Sequence, residues 1–222
     1  MKQYQYAGFY NANLTYLGVL SAISDVVVMD HRGLALTRNL AADDIFDALE
    51  VSKKVLGSDY LGEEDFLETF NSASVFCKTA TYNGQFAGFA ICQIFGPDKI
   101  DEVLHLPVSS ERGMFLSKER FGLFDSVAVR KEHQGLGIGT ELSDACLREF
   151  MLRGVDIICA MAWKSVDGTV NIEGILRRMG MSSSLEIPGY WNQMVDSPGG
   201  HDCPVCGRPC RCSAVLYYKD VK

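Results

Sequence analysis

The stretch "VAVRKEHQGLGIGTEL", residues 127–142, limits what this chain can fold into more than any other. Gly135, Gly137 and Gly139 stand at alternate positions after a β-like run and before a run in which Leu142, Ala145, Cys146 and Phe150 repeat at helical spacing. A strand must therefore pass into a helix through a turn that has no side chain at every second residue. Such a turn lets the backbone approach a ligand closely and leaves the first N–H groups of the helix pointing outward. With the helix dipole, those amides make an anion site that a phosphate group fills well.

The flanking sequence places this turn in a mixed α/β fold. "LALTR" (34–38) reads as a short strand, and "AADDIFDALEVSKKVLG" carries Ile45, Leu49, Val51 and Val55 as a helical apolar stripe that Gly57 stops. A second helix is expected from Glu63 to Phe70, with acids in its first turn. Asn83-Gly84 between two β-rich runs predicts a hairpin of strands at 75–82 and 85–95. Residues 96–113 read as a loop or irregular excursion. Strands are expected at 120–130, in "VDIICAMAW" and in "SAVLYYK", with a short helix in "NIEGILRRMGM". A hairpin followed by β-α-β-α-β calls for a mixed sheet with helices on both faces.

Three phosphate-binding patterns compete for the turn. A P-loop ends in Gly-Lys-Ser/Thr, and no lysine stands there. A dinucleotide fingerprint, G-x-G-x-x-G, finds Thr140 or Leu142 in place of its last glycine. The third pattern, Gln/Arg-x-x-Gly-x-Gly/Ala, is met at every fixed position by Gln134, Gly135, Leu136, Gly137, Ile138 and Gly139. Here the sequence resembles the GCN5-related N-acetyltransferase (GNAT) superfamily, departing from its usual pattern at Lys131, where proline is common, and at Met181, where an aromatic follows the glycine.

The resemblance implies a GNAT-like, mostly antiparallel central sheet, and a turn that clasps the pyrophosphate of acetyl-CoA through residues 134–140, Thr140 included. It also implies that the backbone of Val127, Ala128 and Val129 pairs with the pantetheine amides like a neighbouring strand, and that Asn171 either caps its helix or bonds the pantetheine arm. Acyl transfer to an amine needs a proton acceptor, because an alkylammonium has a pKa near 10.4. The family's base is often a carboxylate beside the strand before the turn. Asp125 is the candidate, expected from strict alternation to share a face with Val127 and Val129; Glu102, Glu111 and Glu119 are weaker ones. An N–H of the same strand, that of Val127 or a neighbour, would stabilise the oxyanion. The family's usual tyrosine acid aligns with Leu176, so Tyr190 becomes the candidate acid, ahead of Tyr217 and Tyr218. His133, just upstream of the turn, is expected to face solvent.

The cysteines divide into two groups. Cys77, Cys92, Cys146 and Cys159 sit in apolar runs, where a reduced thiol packs as a small hydrophobe and implies a reducing, cytoplasmic setting. "HDCPVCGRPCRC" gathers the others: Cys203, Cys206, Cys210 and Cys212 supply a tetrahedral four-thiolate set within one loop, and a zinc ion held by four protein ligands is structural. An iron–sulfur set, a pair of disulfides, or a site in which His201 replaces a cysteine would use the same residues. Residues 201–212 fall where the family makes its last hairpin, so the loop is expected to shape one wall of the acceptor site.

Residues 1–32 form an N-terminal extension, expected to be helical and docked on an acyltransferase domain spanning 33–222. The apolar run 14–29 makes a poor signal peptide, with one preceding lysine and Asp25 inside it, and it is too short to span a bilayer. A net charge of −7 with no basic run argues against nucleic-acid or anionic-membrane partners and favours a cationic acceptor. The expected function is acetyl-CoA-dependent N-acetylation of a primary amine, with the oligomeric state left open. A non-catalytic acyl-CoA sensor or zinc-stabilised interaction module is the alternative.

Overall fold

A computed structural model describes residues 26–30, 33–195 and 198–221. Eight strands form one sheet: β1 (Val26–Asp30), β2 (Gly33–Asn39), β3 (Val75–Tyr82), β4 (Gln85–Phe95), β5 (Phe121–Val129), β6 (Ile157–Lys164), β7 (Ser182–Pro188) and β8 (Ser213–Asp220). Their order is β1-β2-β3-β4-β5-β6-β8-β7, and every pair is antiparallel except β5 with β6. The helices are α1 (Ile45–Val55), α2 (Glu63–Asn71), α3 (Ile100–Leu104), α4 (Ser110–Leu116), α5 (Ile138–Leu152) and α6 (Glu173–Arg178). The expected mixed sheet is therefore present, and the β3–β4 hairpin turns on Asn83 and Gly84, both at positive φ (51° and 80°), as a tight two-residue turn requires.

Three regions depart from the sequence expectation. Val26–Asp30, placed in a helical extension, pairs as β1 with β2 instead. Three consecutive β-branched valines favour the pleat over the helix. The remainder of that extension, residues 1–25, lies outside the described residues. The excursion at 96–113 contains α3 and the start of α4. Ile100 and Leu104, four apart, are both buried, and the Ser109 hydroxyl caps α4 by accepting from the Arg112 amide at 3.2 Å. Strand β7 was hidden by three consecutive serines; as an edge strand it needs apolar residues on little of its length.

The core is layered by the sheet. On one face, α5 and α6 cover Phe76, Phe124, Ile158 and Tyr217, with Phe150 of α5 packed among them. Gly122 permits this packing, because a Cβ there would stand 2.6 Å from the Phe150 ring. On the other face, α1 and α2 cover Val75, Phe89 and Ala128, with Phe66 edge-on to Phe89. A third cluster joins α3, α4 and the β7–β8 connection around Phe115, Phe121, Tyr190 and Trp191. The four cysteines at 77, 92, 146 and 159 are all buried and free within these layers.

The sheet opens where the site lies. Strand β5 pairs with β4 along its whole length but meets β6 only at Phe121–Leu123. From Phe124 onward β5 and β6 diverge, so the β6-facing edge of residues 124–129 has no strand partner among the described residues. A β-bulge in β5 sits at this fork: Ile91 pairs with Ser126 and Cys92 with Phe124, which leaves Asp125 as the extra residue.

Candidate active site and cysteine loop

A cleft of about 700 Å³ occupies the fork. Its floor is β5 from Phe124 to Val127 and Val129, its opposite wall is β6 from Ala160 to Trp163, and the glycine turn closes one end. Gly135 and Gly137 have φ of 76° and 84°, with open space where a Cβ would point, so conformation alone demands glycine. Gly139 is there for a different reason: a Cβ would stand 3.1 Å from Ile175 Cδ1 on α6. The first intrahelical bond of α5 runs from the Glu141 amide to the Gly137 carbonyl, at 3.1 Å. The amides of Ile138, Gly139 and Thr140 thus precede the hydrogen-bond ladder and are available to an anion.

Among the residues expected to hold the cofactor, Val127, Val129, Gln134, Gly135, Gly137, Ile138, Gly139, Thr140 and Asn171 line this cleft. Two do not. Ala128 is buried under α1 and α2, and Leu136 packs against the α5 cluster. The Gln134 side chain donates to the Val129 carbonyl at 3.0 Å, so it braces the turn against its own strand. Asn171 lies two residues before α6, whose N-cap is Ile172, and so does not cap that helix. His133, expected in solvent, is half-buried in the cleft wall, tilted against Tyr82 with ring centroids 5.5 Å apart.

Asp125 stands at the centre of the cleft, but the bulge breaks the strict alternation expected for it. Phe124, Val127 and Val129 all belong to the α5-side cluster, an odd spacing that an unbulged strand cannot produce. The half-buried Asp125 makes no ion pair among the described residues, and desolvation, helped by the charge of Asp65, pushes its carboxyl up to about 7. Beside it, the Ser126 hydroxyl is buried without a hydrogen bond of standard geometry among the described residues, and it faces the Tyr60 phenol.

The tyrosine in this cleft is Tyr60, from the α1–α2 connection, and not Tyr190. Burial first, and then the charge of Asp125, keep the Tyr60 phenol protonated well above the usual range. Tyr190 is 1% exposed, donates its hydroxyl to the Leu104 carbonyl at 3.1 Å and packs edge-on to Trp191. It is a core residue. Tyr217 is likewise engaged, with its hydroxyl 3.1 Å from Glu173 Oε1, and Tyr218 packs edge-on to Phe115. The connection "GSDYLG" has neither helical nor strand periodicity, so only proximity in the fold brings Tyr60 to the site.

Asp125 and Tyr60 also line a second cleft of about 580 Å³ between α2 and α3. There Asp65, Glu68, Asp98 and Glu102 face a single lysine, Lys99, among the described residues. Of the weaker carboxylate candidates, Glu102 thus has a place near the site. Glu111 accepts from Ser184 at 2.6 Å, and Glu119 is exposed; neither lines a cleft.

The cysteine loop lies against the far wall. Its four Sγ atoms are within 4.8 Å of one another. Cys203–Cys212, Cys206–Cys210 and Cys206–Cys212 are separated by 3.9, 3.9 and 3.7 Å. A tetrahedron with metal–sulfur bonds of about 2.3 Å has edges of about 3.8 Å, so these spacings fit one ion. The amides of Val205 and Cys206 point at Cys203 Sγ (3.4 and 3.5 Å) and that of Arg211 at Cys206 Sγ (3.2 Å), orienting the sulfurs inward. His201 is outside the set: it is buried on the cleft side of the loop, with Nδ1 3.3 Å from Asp59 Oδ1.

Comparisons with known proteins agree with this geometry. The profile described as "Acetyltransferase (GNAT) family" matches residues 42–172. No curated protein sequence matches the chain. Among solved structures, NAA60 of Arabidopsis thaliana in complex with a bisubstrate analogue is similar at 12% identity and a TM-score of 0.60, covering 84% of this chain and 97% of that one. The ribosomal-protein-S18-alanine N-acetyltransferase of Escherichia coli is similar at 16% identity and a TM-score of 0.55, covering 85% and 94%. Arylalkylamine N-acetyltransferase 2 of Aedes aegypti is similar at 13% identity and a TM-score of 0.54, covering 85% and 99%.

Proposed function

The chain belongs to the acetyltransferase (GNAT) family, and on that premise we propose that it moves the acetyl group of acetyl-CoA to a primary amine by direct attack on the thioester. The observation that carries this reading is the fork itself. Outward amides at one end suit a diphosphate, a strand edge without a partner among the described residues suits the pantetheine amides, and the Asp125 carboxylate stands at the junction.

Asp125 takes the ammonium proton. An ordinary aspartate, near 3.9, lies roughly 6.5 units below an alkylammonium near 10.4; a carboxyl raised to about 7 roughly halves that gap and so accepts the proton more readily. An N–H on the open edge near Val127 faces the developing oxyanion. Tyr60, kept protonated, donates to the departing thiolate in place of the family tyrosine, whose position in α6 is filled by the buried Leu176. The acceptor is a cationic amine, a reading supported by the carboxylates of the adjoining cleft.

The cysteine loop holds a structural zinc ion through Cys203, Cys206, Cys210 and Cys212, a reading supported by the tetrahedral spacing of the sulfurs. The buried free thiols support a reducing cytoplasm as the protein's setting. The test is release of free CoA thiol over a panel of amines, wild type beside Asp125→Asn. Turnover that is lost in the variant, with CoA binding intact, sustains the assignment. Equal turnover in both removes Asp125 from it.

A further inference from the structure

The cysteine loop touches the rest of the molecule at one place that bears on the chemistry, the α1–α2 connection that carries Tyr60. The Arg208 guanidinium, inside the loop, reaches Asp59 Oδ2 at 2.5 Å, and the Asp202 amide points at the same carboxylate at 3.2 and 3.3 Å. The Ser58 hydroxyl donates to Asp202 Oδ2 at 2.8 Å. Gly57, at a φ of 121°, lets the two segments touch: a Cβ there would stand 2.6 Å from the Asp202 carbonyl and 2.7 Å from the His201 ring. His201 then packs edge-on to Tyr60, with centroids 5.5 Å apart. Asp202 is the neighbour of Cys203 in the chain, and Arg208 lies midway between Cys206 and Cys210. Ser58 and Asp59 are therefore held by hydrogen bonds to residues within two positions of Cys203, Cys206 and Cys210, and Gly57 and Tyr60 pack against the same segment.

We infer that the metal-closed cysteine loop is a clamp on this connection, and that Asp59 is the positioning residue through which it fixes Tyr60 in the acceptor cleft. The inference rests on the acyltransferase and zinc readings above. Its physical basis is entropy: an irregular connection between helices has many conformers, and fixing it in one costs least when the partner that holds it is already rigid. An ion that binds four sulfurs inside ten residues makes the loop such a partner. Without the ion, Arg208 and Asp202 are no longer fixed points, and Tyr60 loses its orientation while the glycine turn, at the other end of the cleft, keeps its own.

The test uses the full-length protein. Amide hydrogen exchange is followed with zinc bound and after chelation, and Asp59→Ala and Asp59→Glu are compared with wild type for metal content, CoA affinity and acceptor kinetics. Chelation is expected to speed exchange at residues 57–61 by about tenfold or more and to leave residues 135–140 and the Kd for CoA unchanged. Asp59→Ala is expected to keep its zinc and CoA affinity, to show the same faster exchange at 57–61, and to lower kcat about tenfold, as loss of the Tyr60 hydroxyl would, with partial recovery in Asp59→Glu. Protein that purifies without stoichiometric zinc, or exchange at 57–61 that is the same with and without the ion, overturns the clamp. If chelation unfolds the whole chain, zinc-loaded Asp59→Ala decides, and wild-type exchange and kcat in that variant overturn it. If no amine is acetylated by wild type, the acyltransferase reading fails, and exchange alone still judges the clamp.

Discussion

The Gln134 side-chain amide donates to the Val129 carbonyl at 3.0 Å, tying the glycine turn to the last residue of the strand before it. The turn is thus set by bonds within residues 129–141, and its amides are fixed before any ligand arrives.

Gly137→Ala should weaken CoA binding about tenfold, because a left-handed conformation costs an alanine about 1–2 kcal/mol and the turn must relax to relieve it. Gly139→Ala should cost less, since the Ile175 methyl that it meets is the end of a flexible side chain. Titration calorimetry with CoA ranks the two; an equal loss in both would mean that space and not conformation governs the turn.

Asp125→Asn should lower turnover by about a hundredfold or more, the usual scale for a positioned base, with the Kd for CoA unchanged. In wild type, kcat/KM should rise as pH passes about 7, because only the deprotonated carboxyl accepts a proton. Asp65→Asn removes the neighbouring charge and should move that limb to lower pH, while the asparagine oxygen still accepts from the Gly62 amide. Stability moves the opposite way. The folded-state pKa of Asp125 lies above its unfolded value, so its contribution is full below about pH 4 and is lost as pH rises through about 7. Asp125→Asn should flatten that slope in thermal melts.

Tyr60→Phe and Tyr190→Phe should separate chemistry from packing. The first should cut kcat at least tenfold, with the melting temperature nearly unchanged. The second should leave kcat near wild type and cost about 1–3 kcal/mol of stability, because the Leu104 carbonyl loses its buried donor. A reversed pattern would return the acid role to Tyr190.

Cys203→Ser should abolish stoichiometric zinc and lower the melting temperature, whereas Cys159→Ser, in the sheet core, should leave the metal content intact. Elemental analysis and replacement by cobalt, whose absorption reports four thiolates, distinguish the two.

The fold could be read in the sequence where local chemistry is strong. Asn83-Gly84 placed two strands at their observed bounds, and the glycine triplet placed the strand-to-helix turn. It failed where packing decides: three valines made a strand out of an expected helix, and β7 gave no apolar signal because an edge strand needs little of one. The cofactor side of the site was equally legible, since backbone amides at a glycine turn are implied by sequence spacing. The proton-transfer side was legible only in Asp125. Its exposure to the cleft depends on a bulge that leaves no mark on the composition of β5, and Tyr60 reaches it from a connection 65 residues away in sequence.

Strands β5 and β6 touch across only three residue pairs, so the sheet consists of a five-stranded meander, β1 to β5, and a three-stranded unit in the order β6-β8-β7, leaning on one narrow seam. Each half completes its own ladder. A long cysteine-bearing insertion can therefore be accommodated between β7 and β8 without disturbing the grip on the donor, and the amine side of such a molecule is free to be rebuilt while the nucleotide side stays as it is.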